Sequence, residues 1–113
     1  MLNSYIKVRD LFQLVKAKQD RAQSYTVYWP KNAPSPGLED EVLIAEPSDV
    51  DETGDFDVMP PIVAEKGWWI CIYDYTLQDV IDLAIEQKSN ASDVELLTCL
   101  RYYEEKDTFL DLT

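Results

Sequence analysis

The sequence predicts a small α+β domain, in which a sheet of about three strands packs with an N-terminal helix and two C-terminal helices. Three observations predict it. Apolar residues recur at helical spacing near both ends of the chain, from Tyr5 to Val15 and from Leu77 to Tyr103. Three β-branched and aromatic runs lie between them, at residues 25–29, 41–45 and 68–73. No internal repeat or long linker divides the 113 residues, and 46% of them are apolar, so residues 1–113 read as one domain with its own core.

Asn3 or Ser4 can cap the first helix. Tyr5, Val8, Leu11, Phe12 and Val15 mark its apolar face, Lys7, Arg9, Lys16 and Lys18 occupy much of the rest, and it is expected to run to about Gln19. Residues 25–29 form a strand that Pro30 ends. Residues 31–37 are a turn-rich loop, and residues 41–45 a second strand that pairs with the first as an antiparallel hairpin. Residues 47–57 are an acidic loop with a turn at Gly54. Pro60 and Pro61 open a short helical turn, because proline is tolerated in a first turn, and Gly67 ends it. Residues 68–73 are almost continuously apolar, the pattern of a central strand covered on both faces. Trp68 and Trp69 then point to opposite faces, at least one of them into the core. Thr76 caps the next helix, with Asp79 in its first turn and Leu77, Val80, Ile81, Ala84 and Ile85 on its buried side. Ser92 and Glu95 have capping-box spacing and open a last helix that is apolar around much of its circumference.

Charge is the second signal. The net charge is −12, and it is unevenly placed. Residues 1–36 hold six bases against two acids, a net +4, whereas residues 37–113 hold four bases against twenty acids, a net −16. Glu39, Asp40, Glu41, Glu46, Asp49, Asp51, Glu52, Asp55 and Asp57 follow one another with no base among them. Such a run repels itself over roughly the 8 Å Debye length of physiological salt, and its plainest use is to attract a positive partner. Direct nucleic-acid binding needs a basic face, and an anionic membrane would repel this one. No apolar run is long enough to span a membrane, and the first residues lack the order of a secretory signal. Cys71 and Cys99 sit in apolar surroundings and read as reduced core thiols, which fits a cytoplasmic protein.

Little in the chain points to catalysis or a cofactor. With no histidine, triads, imidazole bases and most zinc sites are excluded. Asp49, Asp51, Thr53, Gly54, Asp55 and Asp57 fall on six positions of a calcium loop, but Pro60 stands where the bidentate glutamate belongs. Asp49, Asp51 and Thr53 match a phosphatase signature, yet Glu46, Pro47 and Ser48 precede them instead of a buried strand. The expectation is therefore a binding protein with no catalytic residue, no metal and no cofactor. Asp49, Asp51, Glu52, Asp55 and Asp57 form its first candidate surface. Tyr102, Glu104 and Glu105, aromatic and acid together near the end of the last helix, form a second.

The run from Val42, Leu43, Ile44, Ala45 and Glu46 to Asp57 resembles the immunity proteins of bacterial toxin systems, in particular those of contact-dependent growth inhibition. So does the pattern of Asp79, Val80, Ile81 and Asp82, then Leu96 and Leu97, then Tyr102, Tyr103 and Glu104. The resemblance implies an antitoxin that binds and neutralises a cognate basic toxin domain, a nuclease, through carboxylates set where phosphates would lie. Two other readings stand beside it. One is a nucleic-acid mimic that regulates a basic DNA-binding protein. The other is a small metal-binding sensor or enzyme using the 49–57 loop.

Overall fold

The computed structural model describes residues 2–50 and 57–112. Its elements are β1 (Ser4–Lys7), α1 (Val8–Lys16), β2 (Thr26–Pro30), β3 (Glu41–Ala45), β4 (Asp49–Val50), β5 (Asp57–Val58), α2 (Pro61–Ala64), β6 (Trp68–Tyr73), α3 (Asp74–Gln87) and α4 (Asp93–Lys106). Four strands form an antiparallel sheet in the order β1-β3-β2-β6, and β4 pairs with β5 as a separate ribbon. The α+β class is as expected, with four strands in the main sheet where about three were expected.

The additional strand is β1, which had been read as the start of the first helix. Tyr5 lies three residues before Val8 and so extends the helical period by coincidence. Along Ser4–Lys7 burial instead alternates, half-buried then exposed, the period of a strand. Ile6 packs against the helical layer, while Tyr5 turns to the opposite face. The helix proper begins at Val8 and buries Val8, Leu11, Phe12 and Val15. It stops at Lys16, short of Gln19. The amide of Lys18 donates to the Val15 carbonyl and that of Gln19 to the Leu14 carbonyl. Lys18 adopts φ 58°, so this is a Schellman ending with lysine where glycine is usual.

The sheet is buried on both faces. Val27, Val42, Ile44 and Ile72 meet α1, α3 and α4 on one side. Tyr28, Leu43 and Ala45 meet Val63 of α2 on the other. Tyr5 and Trp68 reach across that second face from the two outer strands and meet edge to face at 6.1 Å, with the Lys66 ammonium 5.0 and 5.5 Å from their ring centroids. Alternate residues of β3 thus enter two cores, which is why its sequence reads as a continuous apolar run. Gly67, with φ +68°, makes the left-handed turn from α2 into β6.

β6 corrects a second expectation, since it is an edge strand and not a central one. Its register with β2 runs from Pro30↔Trp68 to Tyr28↔Ile70, then resumes at Val27↔Ile72. Cys71 is the extra residue of a β-bulge. The bulge moves Ile72 to the helical core while Ile70 remains in the second one. An apolar run can therefore serve two cores from an edge. Next, α3 begins at Asp74, so Thr76 lies within its first turn and is not its cap. The Asp74 carboxylate instead accepts the amides of Tyr75 (2.8 Å) and Tyr25 (3.1 Å), tying the helix start to the approach to β2. Ser92 and Glu95 form the expected capping box of α4, with bonds of 3.2 and 3.1 Å.

One buried carboxylate joins these parts. Asp20 is 2% exposed and accepts hydrogen bonds from the Tyr25 hydroxyl, Gln78 Nε2 (3.0 Å) and Arg21 Nε (2.7 Å). The other arm of Arg21 reaches Asp82 at 3.0 Å and the Val15 carbonyl at 3.2 Å. Burial alone would raise the Asp20 pKa. The bonds from Tyr25, Gln78 and Arg21, with the guanidinium charge, outweigh burial and hold it below the usual carboxylate range.

Asp20→Ala is expected to cost about 3 kcal/mol, read by urea unfolding, because it strands the buried Tyr25 hydroxyl and takes the shared acceptor from Gln78 and Arg21. The depressed native pKa makes this stabilisation complete above the unfolded value of about 4 and lost as pH falls through the native value. The stability advantage of wild type over Asp20→Asn should therefore shrink as pH falls from 7 towards 3; a constant difference contradicts it. The Thr26 hydroxyl is buried with no partner. Thr26→Val should accordingly raise stability by about 1 kcal/mol.

Candidate protein-binding surface

The acidic run from Glu39 to Asp57 divides into parts with different uses. Glu39 pairs with Lys7 at 3.3 Å and with Arg9, so its charge meets the basic N-terminal segment. These pairs are exposed and of small energetic value. Asp40 accepts the Gly37 amide at 2.8 Å and closes the loop entering β3. The side chains of Glu41 and Glu46 are exposed at the two ends of β3. Beyond Glu46 the chain enters the ribbon, where Asp49 pairs with Val58 and Val50 with Asp57. The backbone thus brings Asp49 and Asp57 into adjacent cross-strand pairs. Asp51, Glu52 and Asp55 lie outside the described residues, as does most of the calcium-like and phosphatase-like pattern. Among the described residues, no group of three or more Cys, Asp or Glu is arranged to hold a metal ion.

The second candidate patch is at the other end of the sheet. The chain leaves for the ribbon from the end where Ala45 pairs with Thr26 and Thr26 with Tyr73. Glu104 instead lines a cleft with Trp29, Pro30 and Trp69, where β2 ends and β6 begins. Glu105 is exposed and lies 3.7 Å from Lys106, while Tyr102 is half-buried. Tyr103 turns inward and packs on Phe109, with ring centroids 5.0 Å apart. The structure therefore separates Tyr102, Glu104 and Glu105 from the ribbon.

An aromatic pair that sequence reading missed stands at the ribbon end. Tyr73 and Tyr75 are stacked, with centroids 5.5 Å apart and planes within 4°. They are 37% and 59% exposed, which is unusual for two adjoining aromatic rings. They flank Asp74, at the step from β6 into α3. Their signal in the sequence was a tyrosine on each side of an aspartate at a strand end, and it was hidden by starting α3 at Thr76. Stacked tyrosines beside carboxylates have the composition of an interface anchor with a charged rim.

Both cysteines are free. Burial, with a further push from Glu104, raises the Cys71 thiol to about 12, and burial with Glu95 raises Cys99. A protonated, desolvated thiol is a poor nucleophile and metal ligand. No described helix is long and apolar enough to cross a membrane.

A family model described as "Domain of unknown function (DUF7716)" matches residues 6–112. No curated protein and no solved structure matches the chain.

In a Cys99→Ser background, Cys71 should react with iodoacetamide at pH 8 about a thousand times more slowly than an ordinary thiol, in proportion to its thiolate fraction. Alkylation at the rate of free cysteine would contradict its burial against Glu104.

Proposed function

We propose, for a chain that belongs to the DUF7716 family from residue 6 to residue 112, that it is an immunity protein. It binds a cognate basic toxin domain, a nuclease, in the bacterial cytoplasm and neutralises it. The observation that carries this reading is the segregation of charge: residues 37–113 hold a net −16, and their base-free run continues onto a ribbon set apart from the main sheet. Glu41 and Glu46 of that run are exposed. A run of like charges weakens the compact state by self-repulsion, and a cationic partner relieves that repulsion.

The physical mechanism follows from the charge. A nuclease holds phosphate with lysines and arginines, so its active-site cleft is strongly positive. Asp49, Asp51, Glu52, Asp55 and Asp57 present carboxylates to that cleft, and Tyr73 with Tyr75 supply adjoining apolar contact. Complementary fields speed encounter more than they deepen affinity, which suits a protein that must reach a toxin before it turns over. Glu104 and Glu105 belong to a separate contact.

Co-expression with a toxin domain sought among the genes neighbouring this chain's own tests the reading. Wild type should restore growth. The variant with Asp49, Asp51, Glu52, Asp55 and Asp57 changed to lysine should fail to protect while keeping a native circular-dichroism spectrum. The association rate should fall about tenfold or more between 50 and 500 mM salt. Full protection by the lysine variant removes the ribbon from the interface. Equal inhibition of unrelated basic DNA-binding proteins replaces the immunity reading with that of a nucleic-acid mimic.

A further inference from the structure

Trp29 and Trp69 occupy paired positions on β2 and β6. With Lys31, Pro36, Cys71 and Glu104 they line a cleft of about 180 Å³. Small-molecule sites usually measure about 300–1,000 Å³, so this cleft has room for one side chain and not for a typical metabolite. Its walls are held in place. The Trp29 indole N–H donates to the Pro34 carbonyl at 2.8 Å, and the Arg101 guanidinium reaches the Pro36 carbonyl at 3.4 Å.

The cleft already holds a cation of its own. The Lys31 ammonium sits 4.7 Å from the centroid of the Trp69 ring, within range of a cation–π contact. Glu104 lies in the same cleft, and the desolvation of its carboxyl raises its pKa, an effect that Arg101 only partly offsets. The carboxylate adds negative charge to the wall of a cleft that two indole rings also line. Indole rings and a carboxylate together select a cation. An anion would meet the charge of Glu104, and an apolar group would leave it still less solvated.

We propose that the cleft between Trp29, Trp69 and Glu104 receives one lysine or arginine side chain of the partner, which displaces Lys31 from the Trp69 ring. The inference rests on the reading of the partner as a basic protein and names the groups that take its anchoring charge. Lys31 covers the ring until the partner arrives. It belongs to the loop after β2, whose turn-rich sequence leaves it able to move aside.

Nuclear magnetic resonance on the 15N-labelled chain tests this with N-acetyl-lysine methylamide as probe and N-acetyl-norleucine methylamide as its neutral counterpart. The lysine probe should shift the indole N–H peaks of Trp29 and Trp69 more than that of Trp68, and the norleucine probe should shift none of them. Lys31→Ala should tighten binding of the lysine probe about threefold, the worth of an exposed cation–π contact. Lys16→Ala, which removes the same charge elsewhere, should leave it near the wild-type value. Glu104→Gln, isosteric and checked for native fold by circular dichroism, should weaken it about tenfold. Equal shifts with both probes, equal effects of Lys31→Ala and Lys16→Ala, or no shift at Trp29 and Trp69 would each overturn the proposal. Because the probe is a single residue, failure here removes the cleft alone; the ribbon stands or falls on the co-expression experiment.

Discussion

The buried carboxylate of Asp20 is the point on which the arrangement of this domain turns. It takes hydrogen bonds from the residue beside it, from the approach to β2 and from the middle of α3. The connection between α1 and β2 is therefore fixed at a single anion against α3, 58 residues further along the chain. Removing a charge from water costs several kcal/mol, and only a full complement of donors offsets that loss. Arg21 extends the same network to Asp82, and Asp74 completes the neighbouring turn through the Tyr25 amide. The end of the sheet from which the ribbon leaves, and where Tyr73 and Tyr75 stack, is thus held by polar bonds as well as by packing. A rigid base of this kind allows exposed carboxylates and tyrosines to be offered in a defined geometry.

The acids of the chain fall into two groups by environment. Asp20, Asp40, Asp74 and Glu95 serve the fold, each accepting backbone or side-chain donors at a turn or a helix start. Such bonds gain strength because one partner is ionised. Glu41, Glu46 and Glu105 are exposed and take no part in those turns and caps. Counting acids in the sequence does not separate the groups; tracing which carboxylates accept hydrogen bonds from the packed chain does.

Sequence periodicity revealed most of the architecture, and its failures have specific causes. Val8, Leu11, Phe12 and Val15 were legible as a helix, and Ser92 with Glu95 as a capping box, because both signals are local. β1 was not legible, since Tyr5 falls in step with the helix that follows and only pairing with β3 makes Ser4–Lys7 a strand. The end of α1 carried no glycine, because Lys18 takes the left-handed position itself. The place of β6 at an edge depends on tertiary order, which an apolar run of six residues does not encode. Of the candidate surface, Asp49 and Asp57 were found together, as the ribbon register places them, whereas Tyr73 and Tyr75 became visible only once the strand-to-helix step was fixed. The cleft between Trp29 and Trp69 needed two strands brought side by side, and no local pattern announces that.

The pairing of β2 with β6 carries a consequence for how the chain acquires its shape. Thr26 is hydrogen-bonded to a strand whose last residue, Tyr73, lies 47 positions later, and β1 waits for β3 across a similar kind of gap. Contacts of this separation must close long loops before they are rewarded, which slows folding relative to a helical bundle of equal size. During synthesis the first strands emerge with no lasting partner. Once the later, acid-rich part of the chain has been made, its net negative charge opposes the association of unfolded copies. The surplus of carboxylates therefore bears on the unfolded chain as well as on the finished surface, by disfavouring self-association before the sheet has closed.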